Sequence, residues 1–366
     1  LASNGTCTAN ITNNLSNRNK VINGAVLINQ RGNATGVNSS GYYGPDRFKW
    51  IQNSSSAAFS INQSTESPDG FANSYHVDCT TADTSVAADS YVRFLTALEG
   101  KDVQDFAKGT SSAKKAVLSF YVKTNKTGTY SVLYFDSDNN RQFTATYTVS
   151  NTNWNRYTIP VPADTTGAFN NDTGASLEIY WGLVAGSNLT GSVDGAWQSY
   201  TQSKEMAGHN VNFADSTSNN FYITGIQLEV DTTGSGVATD FEHLSFADDL
   251  RKCQRYYYRW TAGSANRYAW MGQSYSTSTC FGIIRTLPVT MRAVPTSTVS
   301  GTYTPYGDDG STSGHSAFSS TATDQNNVNH IGTGGWGGAS GIGGGGRAVV
   351  VKVDEAAGYI DASAEL

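Results

Sequence analysis

Charged residues are scarce in this sequence, and their scarcity limits what the chain can bind. Lys, Arg, Asp and Glu make up 15% of its 366 residues, and the formal net charge of −6 is spread along the chain. Nucleic-acid binding depends on clustered Lys and Arg. The nearest approach to a basic cluster, Arg251, Lys252 and Arg255, lies beside Asp248 and Asp249. We therefore expect no nucleic-acid partner.

Long apolar runs and paired cysteines are also missing. No stretch approaches the roughly 20 apolar residues of a membrane-spanning helix, so we expect no membrane insertion. The four cysteines, Cys7, Cys79, Cys253 and Cys280, form no CxxC pair, which argues against a zinc site. Four thiols could form two disulfides, but their wide spacing favours buried free thiols. We expect no metal and no cofactor.

What the sequence does contain is typical of β-structure. Ser, Thr, Asn and Gly are abundant, and the chain has 20 Tyr and 15 Phe. Aromatic and β-branched side chains fit a half-buried pleated surface, whereas Gly, Asn and Ser suit turns. Short alternating runs predict strands, and the clearest lie at 116–123, 130–135, 143–149, 156–161, 177–184 and 221–230.

These runs also indicate how the strands are connected. The polar stretch 136–140, DSDNN, separates two of them and predicts a hairpin. Turn residues between short alternating runs are typical of an antiparallel sandwich or jelly roll. The predicted fold class is therefore all-β, with a jelly-roll or β-sandwich domain over 20–243.

One short helix is predicted at the end of that domain. Ser245 can cap it, and Asp248 three residues later completes a capping box, so we place the helix at 244–255. A smaller C-terminal β domain then covers 256–366, with strands near 256–260, 268–271, 280–284 and 348–353. Within it, 300–325 and the glycine-rich stretch 331–346 are predicted as loops.

The residues before the first domain are polar and rich in Asn. We interpret 1–19 as an extended N-terminal arm, and a disordered terminus is the alternative.

Several segments resemble bacteriophage tail-fibre and appendage proteins. The segments are 21–25 (VINGA), 30–32 (QRG), 46–48 (DRF), 225–230 (GIQLEV), 238–243 (ATDFEH), 253–258 (CQRYYY), 287–292 (LPVTMR) and 361–366 (DASAEL). Together they run in order through 21–366. The resemblance implies a carbohydrate-binding-module-like jelly roll followed by a smaller β domain, commonly trimeric on the virion.

A glycosidase site needs two carboxyl groups about 5–9.5 Å apart across a cleft, and the sequence contains three closely spaced carboxylate pairs. The pairs are Asp136/Asp138, Asp240/Glu242 and Asp248/Asp249. Turn and capping roles explain the first and third better, and a hydrogen bond to the helix end explains the second. Asp136, Asp138 and Asn140 have calcium-loop spacing but lack the Gly and Glu that such a loop requires. We therefore predict no catalytic residues and no enzyme.

Tryptophans are the candidate ligand-binding residues, because the apolar faces of sugar rings pack on large aromatic rings. The candidates are Trp336, Trp270, Trp260 and Trp197. Core packing is the alternative for each, and Trp336 is favoured because it lies among glycines without a strand of its own. The glycine-rich segment then forms either an exposed tip around Trp336 or a flexible loop.

The expected function is a structural protein of a phage virion, a tail or head fibre that attaches to a host surface glycan. We expect a homotrimer that contacts other virion proteins. One alternative is a capsid decoration or assembly protein that binds no receptor. Another is a polysaccharide depolymerase.

Overall fold

The computed structural model describes residues 16–274, 279–281, 283–307, 326–333, 336–337 and 346–366. For 269–270, 279–281, 283–284, 305–307, 332–333 and 336–337 the description covers the backbone alone. The chain divides into two compact units, Leu1–Asp249 with Leu366, and Leu250–Glu365.

The first unit is built from two antiparallel sheets. Its strands are β1 (Ala34–Val37), β2 (Gly41–Tyr42), β3 (Lys49–Asn53), β4 (Ala58–Ser64), β5 (Ser74–Thr81), β6 (Tyr91–Glu99), β7 (Ala116–Thr124), β8 (Gly128–Asp136), β9 (Arg141–Val149), β10 (Asn155–Val161), β11 (Ala175–Ala185), β12 (Gln198–Ser199) and β13 (Asn220–Val230). The six-stranded sheet has the order β1-β4-β5-β13-β7-β10, and the seven-stranded sheet has the order β12-β9-β8-β11-β6-β3-β2. From β5 to β8, successive strands alternate between the sheets, as in a jelly roll. The predicted all-β jelly-roll sandwich is confirmed.

Aromatic rings from both sheets fill the space between them. Phe94 of the seven-stranded sheet lies 5.0 Å from Tyr75 of the six-stranded sheet, measured between ring centroids. Trp50 and Phe59 meet across the same interface at 4.9 Å. Each buried ring removes about 150–250 Å² from water. This interior is the hydrophobic core that holds the sheets face to face.

The predicted hairpin is confirmed, because β8 and β9 pair in register from Gly128 with Val149 to Asp136 with Arg141. Several strands of this unit were not predicted, among them β4, β5 and β6. In β6, the residues from Val92 to Glu99 are buried on both faces, so the alternation that marks a half-exposed strand is absent.

The predicted helix is present as α1 (Phe246–Gln254). The Ser245 hydroxyl lies 3.2 Å from the Asp248 amide nitrogen, which donates to it, and 2.6 Å from the Asp248 carboxylate. The Ser245 side chain therefore caps the helix, as predicted, and the Asp248 carboxylate binds the capping hydroxyl. Three short 3₁₀ turns, Gly100–Phe106, Gln202–Lys204 and Phe213–Asp215, complete the helical structure of the described residues. Within that part of the chain, no helix is both long and apolar enough to cross a membrane.

The second unit is also built of antiparallel strands. They are β14 (Tyr257–Thr261), β15 (Arg267–Ser274), β16 (Thr279–Phe281), β17 (Ile283–Thr286), β18 (Thr296–Ser300), β19 (Tyr303–Gly307), β20 (His330–Thr333), β21 (Trp336–Gly337), β22 (Ala348–Val353) and β23 (Tyr359–Ser363). They form the sheets β14-β23-β18, β19-β22-β15-β16-β21 and β17-β20. The core of the unit contains Tyr303, Ile331, Val351 and Ile360.

Two loop predictions for this unit were partly wrong. The stretch 300–325 contains β19, whose Tyr303 is completely buried. The predicted glycine-rich loop 331–346 contains most of β20 and the whole of β21. Residues 308–325, 334–335 and 338–345 lie outside the described residues. Pairing with distant strands explains the difference, because β19 pairs with β22 and β20 pairs with β17.

The predicted N-terminal arm ends earlier than residue 19. The Asn19 side-chain amide donates to the Ile226 carbonyl at 3.0 Å, and its oxygen accepts from the Leu228 amide at 3.2 Å. Asn19 therefore belongs to the sandwich, while 1–15 lie outside the described residues. Cys79 and Cys253 are buried free thiols, as predicted. Cys7 and the Cys280 side chain lie outside the described part.

Candidate functional site

Aromatic and charged side chains collect on the outer surface of the seven-stranded sheet. On β6, Phe94 points into the core, so Tyr91 and Arg93 point outward by strand alternation. On the neighbouring β11, Trp181 points inward and Tyr180 outward. We call this surface the tyrosine face. It comprises Tyr91, Arg93, Phe135, Glu178, Tyr180, Tyr200 and Glu205.

The loop segment 200–206 brings Tyr200 and Glu205 onto the sheet. It is fixed by the Thr144 hydroxyl, which donates to the Lys204 carbonyl at 2.6 Å. It also packs closely over Gly182, where an added Cβ would lie 2.2 Å from the Met206 methyl carbon. The absence of a side chain at Gly182 therefore allows the segment to approach β11 and to place Tyr200 and Glu205 there.

Arg93 is at the centre of the tyrosine face. Its guanidinium carbon lies 4.5 Å from the centroid of the Tyr91 ring and 4.6 Å from that of the Tyr180 ring. One guanidinium nitrogen donates to Glu205 Oε2 at 2.5 Å. Arg93 and Glu205 are both buried. Each neutralises the charge of the other, because burying either charge without a partner would be energetically costly. This ion pair holds the surrounding rings in fixed positions.

The tyrosine hydroxyls are bound to carboxylates. Tyr200 donates to Glu205 and Tyr180 donates to Glu178. Burial, followed by the hydrogen bond to Glu205, raises the pKa of Tyr200 to about 12. Burial also raises the pKa of Tyr180, and the charge of Glu178 adds to the effect. Both hydroxyls therefore remain protonated near neutral pH.

The exposure of these rings determines what they can bind. Tyr200 is 39% exposed, its ring meets Phe135 edge to face at 5.8 Å, and Tyr91, Phe135 and Tyr180 are half-buried. Flat, pre-positioned rings beside fixed charges suit a ligand with apolar C–H faces and hydroxyl edges. A sugar ring has both.

A buried ion cluster occupies the end of the sandwich near Asp136. Lys108 Nζ lies 2.5 Å from Asp136 Oδ2, 3.1 Å from Asp164 Oδ2, and 2.9 and 2.8 Å from the carbonyls of Thr166 and Gly167. Arg141 donates two hydrogen bonds to Asp164, at 2.8 and 3.0 Å. In this cluster the Lys108 ammonium already provides the positive charge that the carboxylates need.

The predicted turn role of Asp136 is confirmed, because its Oδ1 accepts from the amides of Asp138 and Asn139. Across the described residues, no three His, Cys, Asp or Glu side chains form a group that could hold a metal ion. The interpretation of Glu242 was wrong, since its carboxylate accepts from the Asn19 amide at 2.9 Å and not from the helix end.

Trp197 is half-buried against the core of the first unit. Its indole nitrogen donates to the Pro162 carbonyl at 2.9 Å, and Lys108 Nζ lies 5.3 Å from its ring centroid. The cavity beside it has a volume of about 20 Å³, which is room for a water molecule rather than a sugar ring.

The other three tryptophans belong to the second unit. Trp260 is half-buried against the core of that unit, with the Arg285 guanidinium 5.0 Å from its ring centroid. Trp270 lies on β15 and Trp336 on β21, and their side chains lie outside the described part. Trp336 was expected in a loop, but its backbone pairs with Cys280. Of the two candidate tryptophans whose side chains are described, Trp197 packs against the core of the first unit and Trp260 against the core of the second.

The tyrosine face was missed in the sequence, although a weak signal for it exists. Tyr91 and Arg93 are two residues apart, as are Glu178 and Tyr180, so each pair shares one face of a strand. Nothing in either pair shows that β6 and β11 are neighbours. Their pairing, Leu95 with Tyr180 and Arg93 with Gly182, is a property of the fold.

Comparison with known proteins gives no match to a family model and no match among curated proteins. Solved structures do match. One is the enzymatically active domain of tailspike protein 4 of bacteriophage CBA120, with 10% identity, 59% of this chain and 22% of that chain covered, and a TM-score of 0.28. A CBM4 module matches with 11% identity, 57% and 98% coverage and a TM-score of 0.27.

A third match is a family 11 carbohydrate-binding module from Clostridium thermocellum in complex with a β-1,3-1,4-mixed-linked tetrasaccharide. It has 13% identity, covers 58% of this chain and 98% of that chain, and has a TM-score of 0.29. At these TM-scores the matches do not bear on function. The β-sandwich is established by the strand pairing of this chain itself.

Proposed function

We propose that the first unit binds a glycan on its tyrosine face and that the protein attaches a phage virion to its host. The observation that carries the glycan proposal is the set of tyrosine rings held around the Arg93–Glu205 ion pair. Rings fixed before binding lose little conformational freedom when a ligand arrives. The resemblance of 21–366 to phage tail-fibre and appendage proteins supports the assignment to a virion.

The proposal is for binding without cleavage. Glu205 uses one carboxylate oxygen for Arg93 and the other for Tyr200, and Glu178 accepts from Tyr180. Carboxylates engaged in this way support the orientation of the rings. Release of reducing sugar ends from a bound polysaccharide would contradict this part of the proposal and favour a depolymerase.

Attachment through weak sites is strengthened when several copies act together, and we propose a homotrimer. The measurement is the mass in solution, with three times the 39.0 kDa chain mass expected. A clean monomer at micromolar concentration would contradict the trimer and leave the glycan site to be judged separately.

The test of the tyrosine face is binding to an array of bacterial surface polysaccharides. The polysaccharide that binds best is then included in the gel for affinity electrophoresis. Tyr200→Ala removes an exposed ring and should weaken binding about tenfold, because a stacked ring contributes about 1.4 kcal/mol. The matched control is Tyr268→Ala, which removes a tyrosine that is 67% exposed in the second unit. Equal affinity of wild type and Tyr200→Ala would contradict the site.

A further inference from the structure

A second surface with sugar-binding chemistry lies on the outer side of the six-stranded sheet. Here a groove of about 420 Å³ is lined by polar side chains and one aromatic ring. Its lining residues are Lys123, Thr124, Asn125, Thr152, Asn153, Asn220 and Tyr222. We call it the amide groove, because asparagines recur along it. Its volume is within the range of small-ligand sites, about 300–1,000 Å³.

The aromatic wall of the groove is set by strand register. Tyr222 on β13 lies between His76 on β5 and Lys123 on β7, directly opposite both. The Tyr222 ring stacks on the His76 ring with centroids 4.2 Å apart and planes 5° apart. Trp154 meets the same tyrosine at 6.3 Å with the planes at 61°. Tyr222 is thus fixed in orientation and still half-exposed.

Two asparagines of the groove are already fixed by the protein. The Asn125 side chain donates to the Ser218 carbonyl at 2.7 Å and accepts from the Asn220 amide at 2.8 Å. The Asn220 side chain also donates to Ser218, and its oxygen pairs with His76 Nε2 at 2.7 Å. An amide side chain has two donor hydrogens and two acceptor lone pairs. These contacts use one of each, which leaves one donor and one acceptor on each side chain for a ligand.

Two lysines near the groove are paired with carboxylates. Lys123 Nζ lies 2.9 Å from Glu66 Oε1, which also accepts from the Trp154 indole nitrogen at 3.1 Å. Lys126 pairs with Asp215. These pairs neutralise both lysines, and Asp78 on β5, directly opposite Asn220, adds a negative charge that acts on Tyr222. The groove therefore offers no net attraction to an anionic ligand. Amides beside an aromatic ring instead match the hydroxyl edges and C–H faces of a neutral sugar.

We propose that the amide groove is a second glycan-binding site, specific for a neutral sugar chain, so that the sandwich binds sugars on both outer faces. The geometry of the groove is independent of the tyrosine face, but the choice of sugar as the ligand class rests on the proposed function. Two sites on opposite sheets allow one chain to hold two glycan strands, and the second site adds avidity to the first.

The test uses the full chain and three neutral probes, cellohexaose, xylohexaose and mannohexaose, in titration calorimetry. For the probe that binds, Tyr222→Ala should weaken binding at the groove about tenfold. Asn153→Ala changes an exposed loop residue and should weaken it about threefold. The control is Asn171→Ala, an exposed asparagine outside the groove, which should bind as wild type does.

A local measurement keeps the test valid if Tyr222→Ala fails to fold. Lys123 has a side chain 34% exposed and lines the groove, so bound probe should slow its acetylation at least threefold. Exposed Lys115 should react at the same rate with and without the probe. Mass spectrometry of the acetylated peptides measures both.

The variants separate this inference from the proposed function. Binding that depends on Tyr222 and not on Tyr200 supports the groove, and the tyrosine face is then judged by its own test on polysaccharides. Binding that depends on Tyr200 alone, with no protection of Lys123, overturns the groove and leaves the tyrosine face intact. The groove is also overturned if wild type binds none of the three probes.

Discussion

His209 is buried in a neutral form, and the stability of the first unit should therefore fall when the pH drops below about 6.5. Its Nδ1 accepts from the Ser131 amide at 3.2 Å, and its Nε2 donates to the Val211 carbonyl at 2.8 Å. Both ring nitrogens are thus occupied, and a second proton at Nδ1 would face an amide donor. Burial lowers the pKa of His209 from 6.5 to about 4.

The sign and size of the effect follow from these two pKa values. Between pH 6.5 and about 4, the unfolded chain binds a proton at His209 that the folded chain does not. Stability is therefore fully present above pH 6.5 and decreases as the pH falls toward 4. Between pH 7 and pH 5 the loss is about 2 kcal/mol. For a unit of this size it corresponds to a decrease in Tm of about 4–8 °C.

The pH window separates His209 from the buried carboxylate of Asp164. Burial alone would raise the pKa of Asp164, but hydrogen bonds from Arg141, Thr166 and Lys108 outweigh it and hold the pKa below its usual 3.8. A carboxylate of this kind adds stability above its usual pKa and loses it only in more acidic solution. Asp164 therefore contributes little to the change between pH 7 and pH 5, and the His209→Gln variant isolates the contribution of the histidine.

The assay is urea unfolding of wild type and His209→Gln at pH 7 and pH 5. Gln carries no titratable group, so His209→Gln should lose most of the pH dependence whatever its stability at pH 7. Met206→Leu is the control, because it changes the same packed segment and keeps the histidine. Equal wild-type stability at both pH values, or an unchanged pH dependence in His209→Gln, would refute the reasoning.

Two further substitutions test the packing around the sites. Lys108→Met leaves buried Asp136 without its cation and should lower the free energy of unfolding by about 3 kcal/mol. Calorimetry should show a Tm about 6–12 °C lower. The control Lys115→Met, at an exposed lysine, should change the Tm little. Gly182→Ala places a methyl group against Met206 and should lower the free energy of unfolding, measured in urea, by about 1 kcal/mol. The same variant should bind polysaccharide more weakly in affinity electrophoresis. Wild-type stability in either the Lys108 or the Gly182 variant would contradict the described packing.

The aromatic surfaces were harder to find than the fold because they are assembled from distant parts of the chain. Tyr91, Tyr180 and Tyr200 come from two strands and a loop segment, and they meet only when β6 and β11 pair and Glu205 reaches Arg93. Tryptophan is a rare and large residue, so the sequence favours it as the candidate for stacking on a sugar. The indole nitrogen of Trp197, however, donates its hydrogen bond to the Pro162 carbonyl within the unit.

Local chemistry in the sequence determined the elements whose signals are contained within a few residues. The polar turn after Asp136 determined the β8–β9 hairpin, and Ser245 with Asp248 determined the start of α1. Strand period and turn residues together gave the all-β class. Each of these depends on neighbours in the chain, which the sequence shows directly.

Tertiary structure alone decided which strands pair and what their outer faces carry. It buried both faces of β6, made a strand of Tyr303–Gly307, and set Tyr222 between His76 and Lys123. The alternation of residues along a strand shows which of them share a face. It does not show which other strand pairs with that strand in the sheet. Binding surfaces formed by several strands are therefore visible only once the sheets are assembled.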